Sequence, residues 1–427
     1  MGKEGQHSSR NSQQYDSTLI IVYLLLMTIG WTAIFATQYD GVFEPFNLAT
    51  NHGKQLLWMG VSGLIFFIIL GFDRLLLMNL SYIIYGAVML MLLSVFIIGS
   101  ATKGNLNWVD LGFFKLQPSE FAKLATAMAL SKYLDTPQVR FNNMKQRMIA
   151  SGIVAVPLLI VLLQGDAGSA LVFLSFIMVF NKEGLSNWVI YFGLYMVAIS
   201  LLALAVDKFL LIGIVVVLFA LILTYIYVVL PRERTVVALI VGIMLMSIGY
   251  IIAVDTAFHS ILKPHQQDRI NIILGKLEDN KGVGYNLEQS KIAIGSGGPF
   301  GKGFLQGTQT RYDFVPEMTT DFIFCSIGEE WGFFGSCVLI GLFVVLLQRL
   351  IQIADRQRSA YSRVYIYSIA SIIFMHFMVN IGMTIGLLPV IGIPLPFISY
   401  GGSSLLSFST MLAIAVKLDS ERLMSIR

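Results

Sequence analysis

The sequence predicts an all-α polytopic membrane protein of about twelve transmembrane helices, with one large polar loop ahead of a late helix that opens on an acid. Three observations lead there. Of 427 residues, 56% are hydrophobic and only 13% charged, and the mean hydropathy is +0.75, so polar side chains are too few to wrap a soluble core of this size. Apolar runs of the length a bilayer demands, roughly 17 to 25 residues, recur along most of the chain. The breaks between them alternate between basic-rich and basic-poor, as loops on the two sides of a membrane do.

Taken in order, the runs lie at 18–37, 55–72, 78–99, 118–134, 147–163, 168–181, 187–205, 208–230, 234–254, 327–350, 364–387 and 402–418. Two are weak spans: 118–134 contains Glu120 and Lys123, and 168–181 is short. Residues 1–17 form a polar tail with neither a short apolar segment nor a small-residue cleavage site, so no secretory signal is expected. With that tail cytoplasmic, Arg74, the segment from Lys132 to Arg147, Lys182, Arg232, Arg234, the segment from Arg349 to Arg363, Lys417, Arg422 and Arg427 all fall inside. The loops 38–54, 100–117, 255–320 and 388–401 then fall outside. The loop 255–320 holds seven basic and seven acidic residues, and long loops cross regardless of charge. No internal repeat or separable soluble domain is visible, which predicts a single integral membrane domain over 1–427. The net charge of +4 is scattered, without the basic patch of a nucleic-acid binder. Cys325 and Cys337 make neither a disulfide framework nor a zinc spacing.

The chemistry gathers at the expected outer face. Asp321 stands where the long loop enters a membrane helix, and carboxylates at a bilayer edge are costly enough to be functional candidates. Its position after Thr319 and Thr320 equally suits an N-cap. Glu317, Glu329 and Glu330 make this the densest acidic group near the membrane, although Glu330 should point nearly opposite to Asp321. Gly295, Gly297, Gly298, Gly301 and Gly303 offer two readings, backbone N–H groups that cradle phosphate or tight turns packed against helices. Their spacing is not that of a P-loop.

Upstream, Lys103, Trp108, Lys115, Gln117, Glu120 and Lys123 lie near the same interface, with Pro118 suited to a first helical turn. Glu120 and Lys123 are three residues apart and can pair on one helical face. They make either an interfacial anchor or, since Lys123 lies more than a turn inside the span, a positive group for a lipid-linked phosphate. The last outer loop packs Pro389, Pro394 and Pro396 against Gly401 and Gly402, broken backbone of the kind that lines a cavity. His376 and Asn380, one turn apart in the preceding apolar helix, are expected to make interhelical hydrogen bonds.

Five motifs carry a resemblance: KGxxxWVDLGxxxxQPSE at 103–120, QGDAGSAL at 164–171, GYNLEQSKIAIGSGGPFGKGFLQGTQ at 284–309, PEMTTDFIF at 316–324 and GIPLPFISYGGSS at 392–404. Over nearly the whole chain the sequence resembles the SEDS family (shape, elongation, division, sporulation). Ile393 to Pro396, and Lys291 followed by Gly307 to Gln309, are similar to its elongation branch. The resemblance implies a peptidoglycan glycosyltransferase that polymerises lipid II at the outer face of a bacterial cytoplasmic membrane, with undecaprenyl diphosphate as leaving group. Asp321 matches the essential acid, and Lys103, Trp108, Lys115, Gln117, Glu120, Lys123, Gln289, Lys291, Glu317, Ser399 and Gly401 are the expected substrate-binding residues.

It further implies a divalent cation, Mg or Mn, no nucleotide cofactor, and as partners a class B penicillin-binding protein and other membrane proteins of the elongation complex. Family members usually have ten spans, so the surplus is expected to be the pair at 208–254. Asn107 stands where a basic residue is usual, and Lys115 where arginine is common, which loses the bidentate fork for phosphate. The competing reading is a lipid II flippase or proton-coupled transporter, which would want its ionisable groups near the midplane rather than at the rim.

Overall fold

A computed structural model describes residues 15–39, 41, 44–102, 105–110, 112, 115–139, 141, 143–229, 234–260, 267–268, 270–271, 274, 276, 283–311, 314–315 and 317–422. In chain order these form α1 (Ser17–Thr37), α2 (Asn51–Leu70), α3 (Arg74–Ile98), β1 (Ser100–Thr102), β2 (Asn105–Asp110), β3 (Lys115–Leu116), α4 (Pro118–Leu134), α5 (Met144–Leu163), α6 (Ala167–Phe173) and α7 (Phe176–Lys182). There follow α8 (Asn187–Ala205), α9 (Lys208–Val229), α10 (Arg234–Ser260), α11 (Val283–Ser296), α12 (Thr308–Arg311), α13 (Ile323–Asp355), α14 (Ala360–Thr384) and α15 (Gly402–Ser420).

Among the described residues, nine helices are long and apolar enough to cross a membrane: α1, α2, α3, α5, α8, α9, α10, α13 and α14. The other three expected spans are helical but different in kind. Helices α4 and α15 carry buried charges, Glu120 and Lys123 in one, Lys417 and Asp419 in the other. The run 168–181 is interrupted between α6 and α7. Two further features depart from the sequence reading. A small antiparallel sheet of order β1-β2-β3 precedes α4. The polar interval 255–320 is partly helical: α10 runs on to Ser260, and α11 presents a stripe of Leu287, Ser290 and Ala293 to the interior. That three-residue stripe is masked in the sequence by the polar side chains between.

The chain forms two compact units, one of Met1–Gly184 with Asn286–Arg427 and one of Leu185–Tyr285. In the first, α4, α14 and α15 are buried along most of their length. Without water to drive association, such helices are held by close packing and internal polar bonds. Gly30 of α1 shows the closeness: a Cβ there would stand 2.6 Å from the Ile398 Cα.

At the end of α13 remote from Asp321, Asp16 caps α1 by accepting from the Leu19 N–H (3.1 Å) and pairs with Arg349 (2.8 Å) and Arg356 (3.1 Å). Arg356 also pairs with buried Asp419, tying α1, α13 and α15 together. Burial pushes the Asp16 carboxyl up, but Arg349, the Leu19 N–H and Arg356 together hold it below its usual range.

In the second unit, α8, α9 and α10 pack around Ile199, Ala203, Leu211, Val215 and Ile251. Hydrogen bonds join Tyr195 to Ser247 (2.7 Å) and Ser200 to Tyr250 (2.8 Å), and Lys208 pairs with Asp255 at 2.9 Å. The segment 208–254 is α9 with most of α10, and α8 packs with both.

Candidate active site

Asp321 lies half-buried in the turn that leads into α13. It is not the N-cap that the sequence suggested: the helix begins at Ile323, Phe322 occupies the cap position, and no side chain caps there. The turn is built by Glu317 instead, exposed and at a positive φ of 61°. The Glu317 carbonyl accepts from the N–H groups of Thr320 (3.1 Å) and Phe322 (3.3 Å), and its carboxylate accepts from the Thr320 hydroxyl (3.1 Å).

This turn is stitched to the proline-rich segment that follows α14. The Asn380 amide donates to the Asp321 carbonyl at 2.9 Å and to the Ile393 carbonyl at 2.7 Å. Ser399 donates to the Thr320 carbonyl (2.6 Å) and accepts from the Leu395 N–H (2.8 Å), while the Tyr400 N–H donates to the Thr319 carbonyl (2.8 Å). Burial pushes the Tyr400 phenol up. Gly392, at φ 71°, approaches so closely that a Cβ would stand 3.3 Å from Asp321 Oδ2. The predicted closing wall is therefore in direct contact with the predicted acid.

The Glu120–Lys123 pair forms as its spacing suggests, at 2.7 Å, but it is sealed in the interior, at 1% and 0% side-chain exposure. Lys123 Nζ also lies 2.8 Å from His376 Nε2, and His376 Nδ1 lies 3.1 Å from the Pro394 carbonyl. A carbonyl only accepts, so Nδ1 carries the hydrogen and Nε2 accepts from the ammonium. Lys123 is thus a tie between α4 and α14, turned away from any surface a phosphate could reach. His376 makes the expected bond to a neighbouring helix and also reaches a loop carbonyl, whereas Asn380 bonds to the Asp321 turn and the Ile393 carbonyl rather than to a helix.

A second hub went unrecognised in the sequence. Asp166 caps α6 through the Ser169 N–H (2.9 Å) and also accepts from Asn107 (3.1 Å), Gln117 (3.1 Å) and the Ser169 hydroxyl (2.8 Å). Next to it, Ser403 accepts from the Gln117 N–H and donates to the Lys115 carbonyl, both at 3.2 Å. The hub joins the sheet, α4, α6 and the start of α15, where Gly401 is the cap residue. Trp108 is half-buried on β2, and Lys115 is exposed on β3. Lys103 lies outside the described residues. Asn107, noted in the sequence only as a departure from a basic residue, is a working donor of this hub.

Gln289, half-buried, and Lys291, exposed, lie on α11, which is fixed to the end of α14 by the Ser290 hydroxyl on the Thr384 carbonyl (2.9 Å). The end of the Lys291 side chain lies against Gly386, whose φ of 82° and lack of a Cβ let it pass.

The glycine cluster takes its packing role. The N–H groups of Gly301, Lys302 and Gly303 donate to the carbonyls of Gly297 (2.9 Å), Glu329 (3.0 Å) and Glu330 (3.0 Å). Side chains at Gly297 or Gly301 would collide with the carbonyls of Gly328 and Glu330, and α13 itself kinks at Gly332, φ 65°. Those donors are spent on the fold. Glu329 is buried and accepts from Lys302 (2.6 Å) and from the N–H (2.8 Å) and hydroxyl (2.6 Å) of Thr310.

Among the described residues, no three His, Cys, Asp or Glu side chains converge, so these do not build a complete shell for Mg or Mn. A cation shared with diphosphate oxygens, the way Mg is commonly held, would find the exposed Glu317 carboxylate in the turn that leads to Asp321.

Comparison with known proteins agrees with this architecture. The FtsW/RodA/SpoVE family model, described as a cell cycle protein, matches residues 16–208 and 180–423. The chain is 28% identical to the peptidoglycan glycosyltransferase RodA of Treponema pallidum (strain Nichols), covering 97% of this chain and 99% of that one. It is 34% identical to the peptidoglycan glycosyltransferase MrdB of Escherichia coli (strain K12), over 80% of this chain and 78% of that one. A solved structure described as "Structural coordination of polymerization and crosslinking by a peptidoglycan synthase complex" superposes with a TM-score of 0.70 at 25% identity, covering 96% of this chain and 99% of the other. The chain, a multi-pass membrane protein by the nine apolar helices among its described residues, belongs to the FtsW/RodA/SpoVE family.

Proposed function

We propose that this protein is a peptidoglycan glycosyltransferase that polymerises lipid II during cell-wall elongation, with Asp321 as its general base. The observation that carries the reading is the placement of Asp321, a half-buried carboxylate held against Gly392 by bonds from Asn380 and Ser399 to its own turn. The family membership and the names of its relatives support the same activity.

In the reaction, Asp321 takes the proton from the 4-hydroxyl of the acceptor N-acetylglucosamine as that oxygen attacks the anomeric carbon of the donor N-acetylmuramic acid. The bond from that carbon to the diphosphate breaks, and undecaprenyl diphosphate leaves with the electron pair. A sugar hydroxyl is a poor nucleophile until deprotonated, and a positioned base contributes about 10² to 10⁴-fold. Among the described candidates, Lys115 and Lys291 are exposed and available to the leaving diphosphate, and buried Lys123 is not. A divalent cation shared with the diphosphate would neutralise further charge.

The likeness to a peptidoglycan synthase complex supports assembly with a class B penicillin-binding protein that crosslinks the strands. The site is assigned to the extracytoplasmic face, where an acceptor strand is available. The decisive experiment is polymerisation of lipid II by the purified full chain, with and without that partner, read as glycan product on a gel. No product under either condition, from well-folded protein, would refute the activity.

A further inference from the structure

Asn380 holds two segments at once, and both meet at the acid. Its side chain is fully buried and gives one amide hydrogen to the carbonyl of Asp321 and the other to that of Ile393, whose neighbour Gly392 stands against Asp321 Oδ2. A single carboxamide therefore fixes the peptide that carries the carboxylate and the wall beside it. Serine, threonine or a neutral histidine could give only one hydrogen, and a leucine, of the same branching, none. Both partners accept, so the amide can point only one way.

The arrangement also leaves the Asn380 Oδ1 buried with no hydrogen-bond partner among the described residues. Buried polar atoms are almost always paired, so the unpaired Oδ1 is a cost that the two donated hydrogen bonds offset. One turn earlier on α14, His376 holds the next carbonyl, that of Pro394, so two successive carbonyls of the wall are fixed from one helix.

We infer that Asn380 is a positioning residue of the transferase site: it acts through Asp321, setting the carboxylate against Gly392 at the distance and angle that proton abstraction needs. The inference rests on the reading of Asp321 as the general base. Misplacement of a reacting group by 1 Å can cost about 10²-fold, so an effect on turnover is expected with little effect on substrate affinity.

The test uses the full chain purified in lipid nanodiscs, with lipid II as substrate, and compares the parent with Asn380→Leu, Asp321→Asn and the double variant. Asn380→Leu is expected to lower kcat about 10-fold or more while KM stays within about threefold. In the double variant, residual activity should be no lower than in Asp321→Asn alone, because a residue that acts through the base has nothing left to position. Independent, multiplying losses would show a structural role and overturn the inference. So would an unchanged kcat in Asn380→Leu beside an inactive Asp321→Asn, leaving the base reading standing. A fully active Asp321→Asn would sink the base reading and this inference with it. If Asn380→Leu does not assemble, Asn380→Ser, smaller and limited to one donated hydrogen, is measured against the same outcomes.

Discussion

Gly392 faces Asp321 without a side chain, and a methyl group there would stand 3.3 Å from the carboxylate oxygen Oδ2. The same glycine adopts a φ of 71°, where a Cβ is disfavoured by about 1 to 2 kcal/mol. Two constraints thus coincide on one residue, one conformational and one at the acid. Gly392→Ala is expected to lower melting temperature slightly and polymerisation rate by about 10-fold or more. A rate unchanged from the parent, measured on protein of normal stability, would mean that this contact does not bear on the chemistry.

The buried pair of α4 makes a different kind of prediction. Lys123 is enclosed by Glu120, His376 and the ring of Phe408. Lys123→Met should strand the Glu120 charge in the interior and destabilise by about 3 to 5 kcal/mol. Replacing both, as Glu120→Gln with Lys123→Met, should recover much of that loss, read as the detergent melting temperature. If the single variant melts like the parent but loses lipid II binding, Lys123 is a ligand rather than a tie.

How far the sequence reached follows from the range of each interaction. The nine apolar helices were legible because a bilayer demands unbroken runs, and the Glu120–Lys123 pair because it is one turn apart. The cap of α13 was misplaced by one residue: the helix begins at Ile323, so Phe322 rather than Asp321 holds the cap position. The second partner of Lys123 and the anchor of the Asp321 turn were not legible, since His376 is 253 residues from Lys123 and Asn380 is 59 from Asp321. The hub at Asp166 was hidden likewise, its donors Asn107 and Gln117 coming from another part of the chain. An Asn and a His spaced by four in an apolar helix, just before a loop rich in proline, were the signal available for the first of these.

Metal dependence separates substrate from fold. No protein-only shell is formed among the described residues, so chelation should leave the melting temperature where it was. Polymerisation should nonetheless fall by about an order of magnitude or more on adding EDTA and return with Mg or Mn, since the cation would serve the diphosphate. A large drop in melting temperature on chelation would instead point to a structural site.

The replacement of Asp321 by Asn decides the mechanism. The two side chains are nearly isosteric, and the main-chain bonds that fix this turn, from Asn380 to the Asp321 carbonyl and from Ser399 to the Thr320 carbonyl, do not depend on the carboxylate. Phe322, not Asp321, occupies the cap position of α13, so no capping bond is lost with the charge. What goes is an ionisable oxygen able to take a proton. Asp321→Asn is therefore expected to keep expression, melting temperature and partner binding close to those of the parent while polymerisation drops by about 10² or more. Glycan product from purified protein, with a partner transpeptidase added in excess so that assembly is not limiting, is the measurement. A folded Asp321→Asn that polymerises lipid II at the parent rate would remove this acid from the chemistry and turn attention to Glu317, exposed in the same turn.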